Sequence, residues 1–96
     1  MPIKTTKYDA AEYLETAEDV VAYIEAAFED GNPAIIKNAL GVVARARGMT
    51  AIAREAGVTR EALYKALSEN GDPRLSTLVG VLNAIGMRLS AKAAAE

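Results

Sequence analysis

The sequence predicts an all-α fold: a small bundle of about five helices containing a helix-turn-helix, with a short C-terminal β-strand suited to dimer pairing. Three observations carry this. Apolar residues recur at three- and four-residue spacing along most of the 96 residues. Cap residues and glycines break those stretches into helix-sized pieces. Residues 50–67, Thr50-Ala51-Ile52-Ala53-Arg54-Glu55-Ala56-Gly57-Val58-Thr59-Arg60-Glu61-Ala62-Leu63-Tyr64-Lys65-Ala66-Leu67, read as two short helices around a tight turn. The whole is one compact domain with three stretches: an acidic helical segment over 1–32, a helix-turn-helix core over 33–86, and a strand or tail over 87–96.

The elements follow in order. Residues 1–8 form an extended end. Asp9 caps a short turn over residues 10–14. Thr16 with Asp19 three residues on begins a better helix, as in a capping box. Val20, Ile24, Ala27 and Phe28 give that helix one apolar face, and Gly31 ends it. Asn32-Pro33 is a cap followed by proline at the first helical position. Ile36, Leu40 and Val43, flanked by Ile35 and Ala39, make the buried stripe of the second helix, which Gly48 stops. Arg45 and Arg47 suit the negative end of its dipole, with phosphate contact the alternative. Thr50 is the expected cap of the third helix and Gly57 its close; Thr59 caps the fourth. Asn70-Gly71-Asp72-Pro73 turns the chain into a cap-plus-proline start. Leu75, Leu78, Val79, Leu82 and Ile85 give the last helix its apolar face, and Gly86 ends it. Met87, Leu89 and Ala91 then alternate with Arg88, Ser90 and Lys92, the period of a strand. Such a strand has no partner in a helical chain, so it pairs with a second copy. The alternative is a frayed tail.

Composition narrows the function. The chain has no Cys and no His. Disulfides, thiolate or histidine metal sites and a Ser-His-Asp triad are therefore out of reach, and no metal or cofactor is expected. No apolar run is long enough for a membrane and the first residues carry no signal-peptide core, so the expected compartment is the cytoplasm. An enzyme is not expected, since no Cys, His or glycine-rich phosphate loop accompanies the surface carboxylates. The net charge of −2 is unevenly spread. Residues 1–32 hold two lysines against eight carboxylates, residues 33–71 six basic side chains against three acidic ones, and residues 72–96 three against two. An acidic front and a basic middle suit two different partners. A plain solvated helix surface is the alternative reading of the acidic front.

Each position of residues 50–67 has a mechanical task. Ala53 is small enough for the next helix to cross over it. Ile52, Ala56, Val58 and Leu63 fill the space between the helices, and Leu67 extends that stripe. Arg60, Glu61, Tyr64 and Lys65 stay on the outside of the second helix. Arginine grips guanine with two hydrogen bonds. Glutamate near DNA suits a cytosine amino group, or turns to pair with Arg60 or Lys65. Tyr64 touches a thymine methyl or donates to phosphate, and Lys65 suits phosphate. Thr59, Thr50 and Arg54 are placed to fix the DNA backbone. A module this small binds weakly alone, so a homodimer reading two half-sites is expected.

Several stretches together resemble a known family: Tyr8-Asp9-Ala10-Ala11-Glu12-Tyr13-Leu14, Ala44-Arg45-Ala46-Arg47-Gly48-Met49-Thr50, the run from Ala53 on to Leu67, Asn70-Gly71-Asp72-Pro73-Arg74-Leu75 and Gly86-Met87-Arg88-Leu89-Ser90. The chain is similar to the addiction-module antidote proteins, short HigA-like type II antitoxins with an XRE/Cro-type helix-turn-helix. That resemblance implies two activities. One is neutralising a small basic toxin of the RelE/ParE/HigB kind by direct binding. The other is repressing the operon through operator DNA, with Thr59, Arg60, Glu61, Tyr64 and Lys65 as the reading residues. It gives no toxin-binding site. The charge map proposes one: Glu12, Tyr13, Glu15, Glu18 and Tyr23, with Phe28 assigned to the core. The dimer contact falls on Met87, Leu89 and Ala91. Many antitoxins wrap the toxin with a long tail; this chain has a short Ala-rich end, so a folded surface must serve. The competing readings are a stand-alone phage-type repressor and a helical protein-binding adaptor.

Overall fold

The computed structural model describes residues 14–95. It contains α1 (Ala17–Asp30), α2 (Pro33–Arg47), α3 (Met49–Ala56), α4 (Arg60–Ala66) and α5 (Leu75–Ala84), and no strand among the described residues. The turn expected after Asp9, and with it Glu12 and Tyr13, lies outside the described residues.

Local chemistry sets the first two helices. The Thr16 hydroxyl accepts from the Asp19 N–H at 3.0 Å, and Asp19 Oδ2 accepts from the Thr16 N–H at 3.2 Å. This reciprocal capping box is the one the spacing predicts. Asn32 Oδ1 accepts from the Ala34 N–H at 2.8 Å, ahead of Pro33 at the start of α2. Proline is tolerated there because the first N–H groups of a helix have no intrahelical partner.

Two later starts differ from expectation. Gly48 ends α2 and is also the first flanking residue of α3, with φ of 111°. At that φ only glycine is unstrained, and it lets one residue turn the chain from helix into helix. The third helix therefore begins at Met49, and Thr50 is an exposed residue of its first turn, not a cap. Likewise α5 begins at Leu75 after an extended Arg74 with no side-chain cap, so Asp72-Pro73 lies in the irregular stretch before the helix and does not start it. Leu75 is 67% exposed and drops out of the expected stripe; Val81 takes the buried place beside Leu82 and Ile85.

The core is built from Val20 and Ile24 of α1, Leu40, Val43 and Ala44 of α2, Ile52 and Ala53 of α3, Leu63 of α4, and Val81 and Leu82 of α5. The helix α3 is the hub, packed on α2, α4 and most extensively α5, whereas α1 packs chiefly on α2. Small residues allow the central contact. A Cβ on Gly80 would lie 2.8 Å from the Ala56 Cα, so α3 and α5 touch backbone to backbone at that point. Lys37 adds a polar tie. Its ammonium donates to the Glu69 and Gly71 carbonyls at 2.7 and 2.8 Å, fastening the loop after α4 to α2.

After Gly86 the Met87 N–H donates to the Leu82 carbonyl at 2.8 Å and the chain runs on without regular structure. The expected strand is thus not formed among the described residues, whose helices offer no edge to pair with. Its alternation survives in burial: Met87 and Leu89 are half-buried on the core, while Arg88 and Ser90 are exposed. Ala91 departs from the pattern and is exposed.

Candidate nucleic-acid interface

The seven-residue α4 owes its position to its neighbours, since isolated helices of that length are not stable in water. Thr59 starts it, its hydroxyl accepting from the Ala62 N–H at 3.0 Å. Leu63, fully buried, and Leu67, nearly so, anchor its inner face in the core. Burying a leucine contributes roughly 1.5–3 kcal/mol. The turn before it is short. Gly57 takes a left-handed conformation with φ of 78°, and the Val58 N–H donates to the Ala53 carbonyl at 3.1 Å, closing α3. Val58 itself is half-buried against the core.

With that inner face fixed, the outer face follows from the helical period. Arg60 and Tyr64 stand one turn apart, as do Glu61 and Lys65, and all four are exposed. Tyr64 is 58% exposed, one of few large apolar-bodied side chains left outside. Thr50 and Arg54 are exposed on the first and last turns of α3. Thr59 is also exposed, with its hydroxyl engaged in the cap. All seven side chains expected at a DNA contact are thus at the surface of this helical pair or its turn.

A second charged face belongs to α1. Val20, Ile24 and Ala27 are buried, which turns Glu18, Ala22, Glu25 and Glu29 to the opposite side in one line. Glu15 and Glu18 are exposed at its start. Ala17, Glu18, Val21, Ala22 and Glu25 border a shallow open depression there. Tyr23, expected on a toxin contact, is half-buried and packed against the core. Burial raises its pKa above the ordinary tyrosine value of 10.0, while the nearby Arg45 charge opposes that shift.

The chain matches, over residues 4–93, the model of a family described as probable addiction module antidote proteins. It belongs to that family. An uncharacterized protein of Haemophilus influenzae is 42% identical to it over 81 residues, 84% of either chain. No solved structure matches the chain. Among the described residues no helix is long and apolar enough to cross a membrane.

Two features of this family member were not foreseen from its sequence. Lys37 belongs by sequence to the basic middle, yet its ammonium donates to two carbonyls of the loop after α4. The charge sum carries no sign of that, because the partners are backbone atoms more than thirty residues away. Arg45, weighed between the helix dipole and phosphate, has its guanidinium beside Gly41: a Cβ there would lie 3.3 Å from one of its nitrogens. Its charge also reaches Tyr23.

Proposed function

We propose that this chain is an antitoxin of a type II toxin–antitoxin module, one that binds a small basic toxin and represses its own operon through α3, its turn and α4. One observation carries the DNA reading. The inner side of α4 is locked into the core by Leu63 and Leu67, while its outer side presents Arg60, Glu61, Tyr64 and Lys65 to solvent. A short helix held rigidly by hydrophobic residues, with arginine, tyrosine and lysine outward, is what a major-groove reader requires. Family membership supports the toxin partner. The acidic outer line of α1 supplies a surface of the sign that attracts a basic protein.

Within this reading Arg60 and Tyr64 contact base edges, Lys65 and Arg54 contact phosphates, and Thr50 and Thr59 flank the backbone. Glu61 repels phosphate, so it selects for a cytosine amino group in its reach. The test is a fluorescence-anisotropy titration of the purified protein with DNA from upstream of its own gene, over a salt series. Sequence-selective binding is expected, weakened by Arg60→Ala by about 1–3 kcal/mol for a bidentate base contact. Lys65→Ala is expected to weaken all sequences alike and lower the salt slope by about one. Equal binding to unrelated DNA by all three proteins would refute the reader.

A further inference from the structure

We infer that Lys37 is a positioning residue for DNA selectivity: from α2 it fixes the tilt of α4, and with it the place where Tyr64 meets a base edge. The inference rests on the DNA reading above and concerns how that reader tells one sequence from another.

The short α4 has one main helical neighbour, α3, to which the turn at Gly57 and Val58 joins its first end. Leu63 and Leu67 hold its inner side in the core. Apolar burial is non-directional, so these leucines set the depth of the helix more firmly than its tilt. The last end of α4 carries a close-fitting extension. The Ser68 hydroxyl donates to the Lys65 carbonyl at 2.7 Å, and the Gly71 N–H donates to the Ser68 carbonyl at 2.9 Å. Gly71 lies so near that an added Cβ would overlap the Lys65 and Ala66 carbonyls. The stretch from Ser68 to Gly71 is thus part of the α4 end. Lys37, half-buried on α2, donates to the Glu69 and Gly71 carbonyls of that stretch at 2.7 and 2.8 Å. Among the described residues no other side-chain hydrogen bond ties α4 or its extension to a distant part of the chain. Two short charge-assisted bonds are directional where the leucines are not.

Tilt matters to base contacts more than to phosphate contacts. In a seven-residue helix hinged at its first end, a tilt of about 10° moves Tyr64 by roughly 1 Å. A specific contact tolerates about 0.5 Å. Phosphate contacts from long basic side chains carry no sequence information and follow the backbone as it shifts. Loss of the Lys37 tie therefore costs selectivity before it costs binding.

The experiment compares affinities for DNA from upstream of the gene and for an unrelated duplex of equal length, by fluorescence anisotropy at one salt concentration. Circular dichroism and urea denaturation check each fold. Lys37→Met is expected to lower the ratio of the two affinities by about five- to a hundredfold, the discrimination of one base contact, with binding to the unrelated duplex changed less than about threefold. Lys37→Arg keeps the cation and its donors and is expected to restore most of the ratio. Lys37→Gln keeps a neutral donor and falls between; it carries the test if the methionine variant does not fold. Thr16→Ala loses a cap on α1 and is expected to keep the ratio. In a Tyr64→Ala background, Lys37→Met is expected to change the ratio little further, because the contact it places is gone. The inference is overturned if Lys37→Met keeps the full ratio, if it weakens both duplexes alike, if Thr16→Ala lowers the ratio as much, or if Lys37→Met and Tyr64→Ala combine additively. A natural chain with no preference between the duplexes would overturn the DNA reading itself, whereas a selective chain indifferent to Lys37 leaves that reading standing.

Discussion

The helices α1 and α4 are both amphipathic and both turn charge outward, yet they are held by different means. The 14-residue α1 carries its own reciprocal cap and a left-handed glycine stop, and rests chiefly on α2. The seven-residue α4 has a single threonine cap and is otherwise placed by Leu63, Leu67 and the Lys37 tie on the loop that follows. A short helix positioned by the core has a fixed outer face, which suits reading a rigid duplex. A long, self-capped helix at one side of the bundle tolerates surface exchange, which suits an acidic docking face.

Substitutions in the two helices are expected to differ in cost, the largest in the core of α4. Leu63→Ala removes the anchor of α4 and costs about 2–5 kcal/mol by urea denaturation. On the proposed reading DNA binding is expected to weaken with it, because a domain of the order of 5–15 kcal/mol total stability loses a large share of it and α4 loses its anchor. Lys37→Met frees the two carbonyls it holds and costs about 1.5–3 kcal/mol, with the larger consequence for DNA affinity because the loss falls next to α4. Thr59→Ala and Thr16→Ala each lose a cap and cost about 1 kcal/mol; only the first is expected to weaken DNA binding. Glu15→Lys with Glu18→Lys leaves stability within about 1 kcal/mol, since only dipole and surface terms change. The same pair is expected to slow association with the proposed toxin partner and to alter its salt dependence.

The smallest effect is a pH effect. Burial raises the Tyr23 pKa in the folded chain, so the unfolded chain loses this proton first as pH rises. The stabilisation is complete below the ordinary value of 10.0 and falls as pH climbs from there through the raised value. Alkaline denaturation is therefore expected to be steeper for the natural chain than for Tyr23→Phe.

Sequence reasoning reached the parts of this molecule that local chemistry decides. The all-α class and the bounds of α1 and α2 follow from Thr16, Asp19, Gly31, Asn32 and Pro33, whose hydrogen bonds close within a few residues. The inner and outer faces of α4 follow from period alone, with Leu63 and Leu67 inside and Tyr64 outside. What sequence missed is the choice among neighbouring helix starts and the ties between distant parts of the chain. Gly48 replaces Thr50 at the start of α3 because its φ of 111° allows an immediate turn. Leu75 is left outside because α5 begins beyond the proline. The Gly80–Ala56 contact and the Lys37 tie join residues that no local pattern connects. The C-terminal alternation was legible, but no strand forms there among the described residues.

The central claim is that two separate faces serve two partners. The most direct measurement is a two-by-two binding experiment: Arg60→Ala/Tyr64→Ala and Glu15→Lys/Glu18→Lys, each titrated with upstream DNA and with the protein of the neighbouring reading frame. The expected result is that the α4 pair loses DNA and keeps the protein partner, while the α1 pair weakens the partner and keeps DNA. If both pairs lost the same ligand, or if the α4 pair left DNA binding untouched, the account would be contradicted.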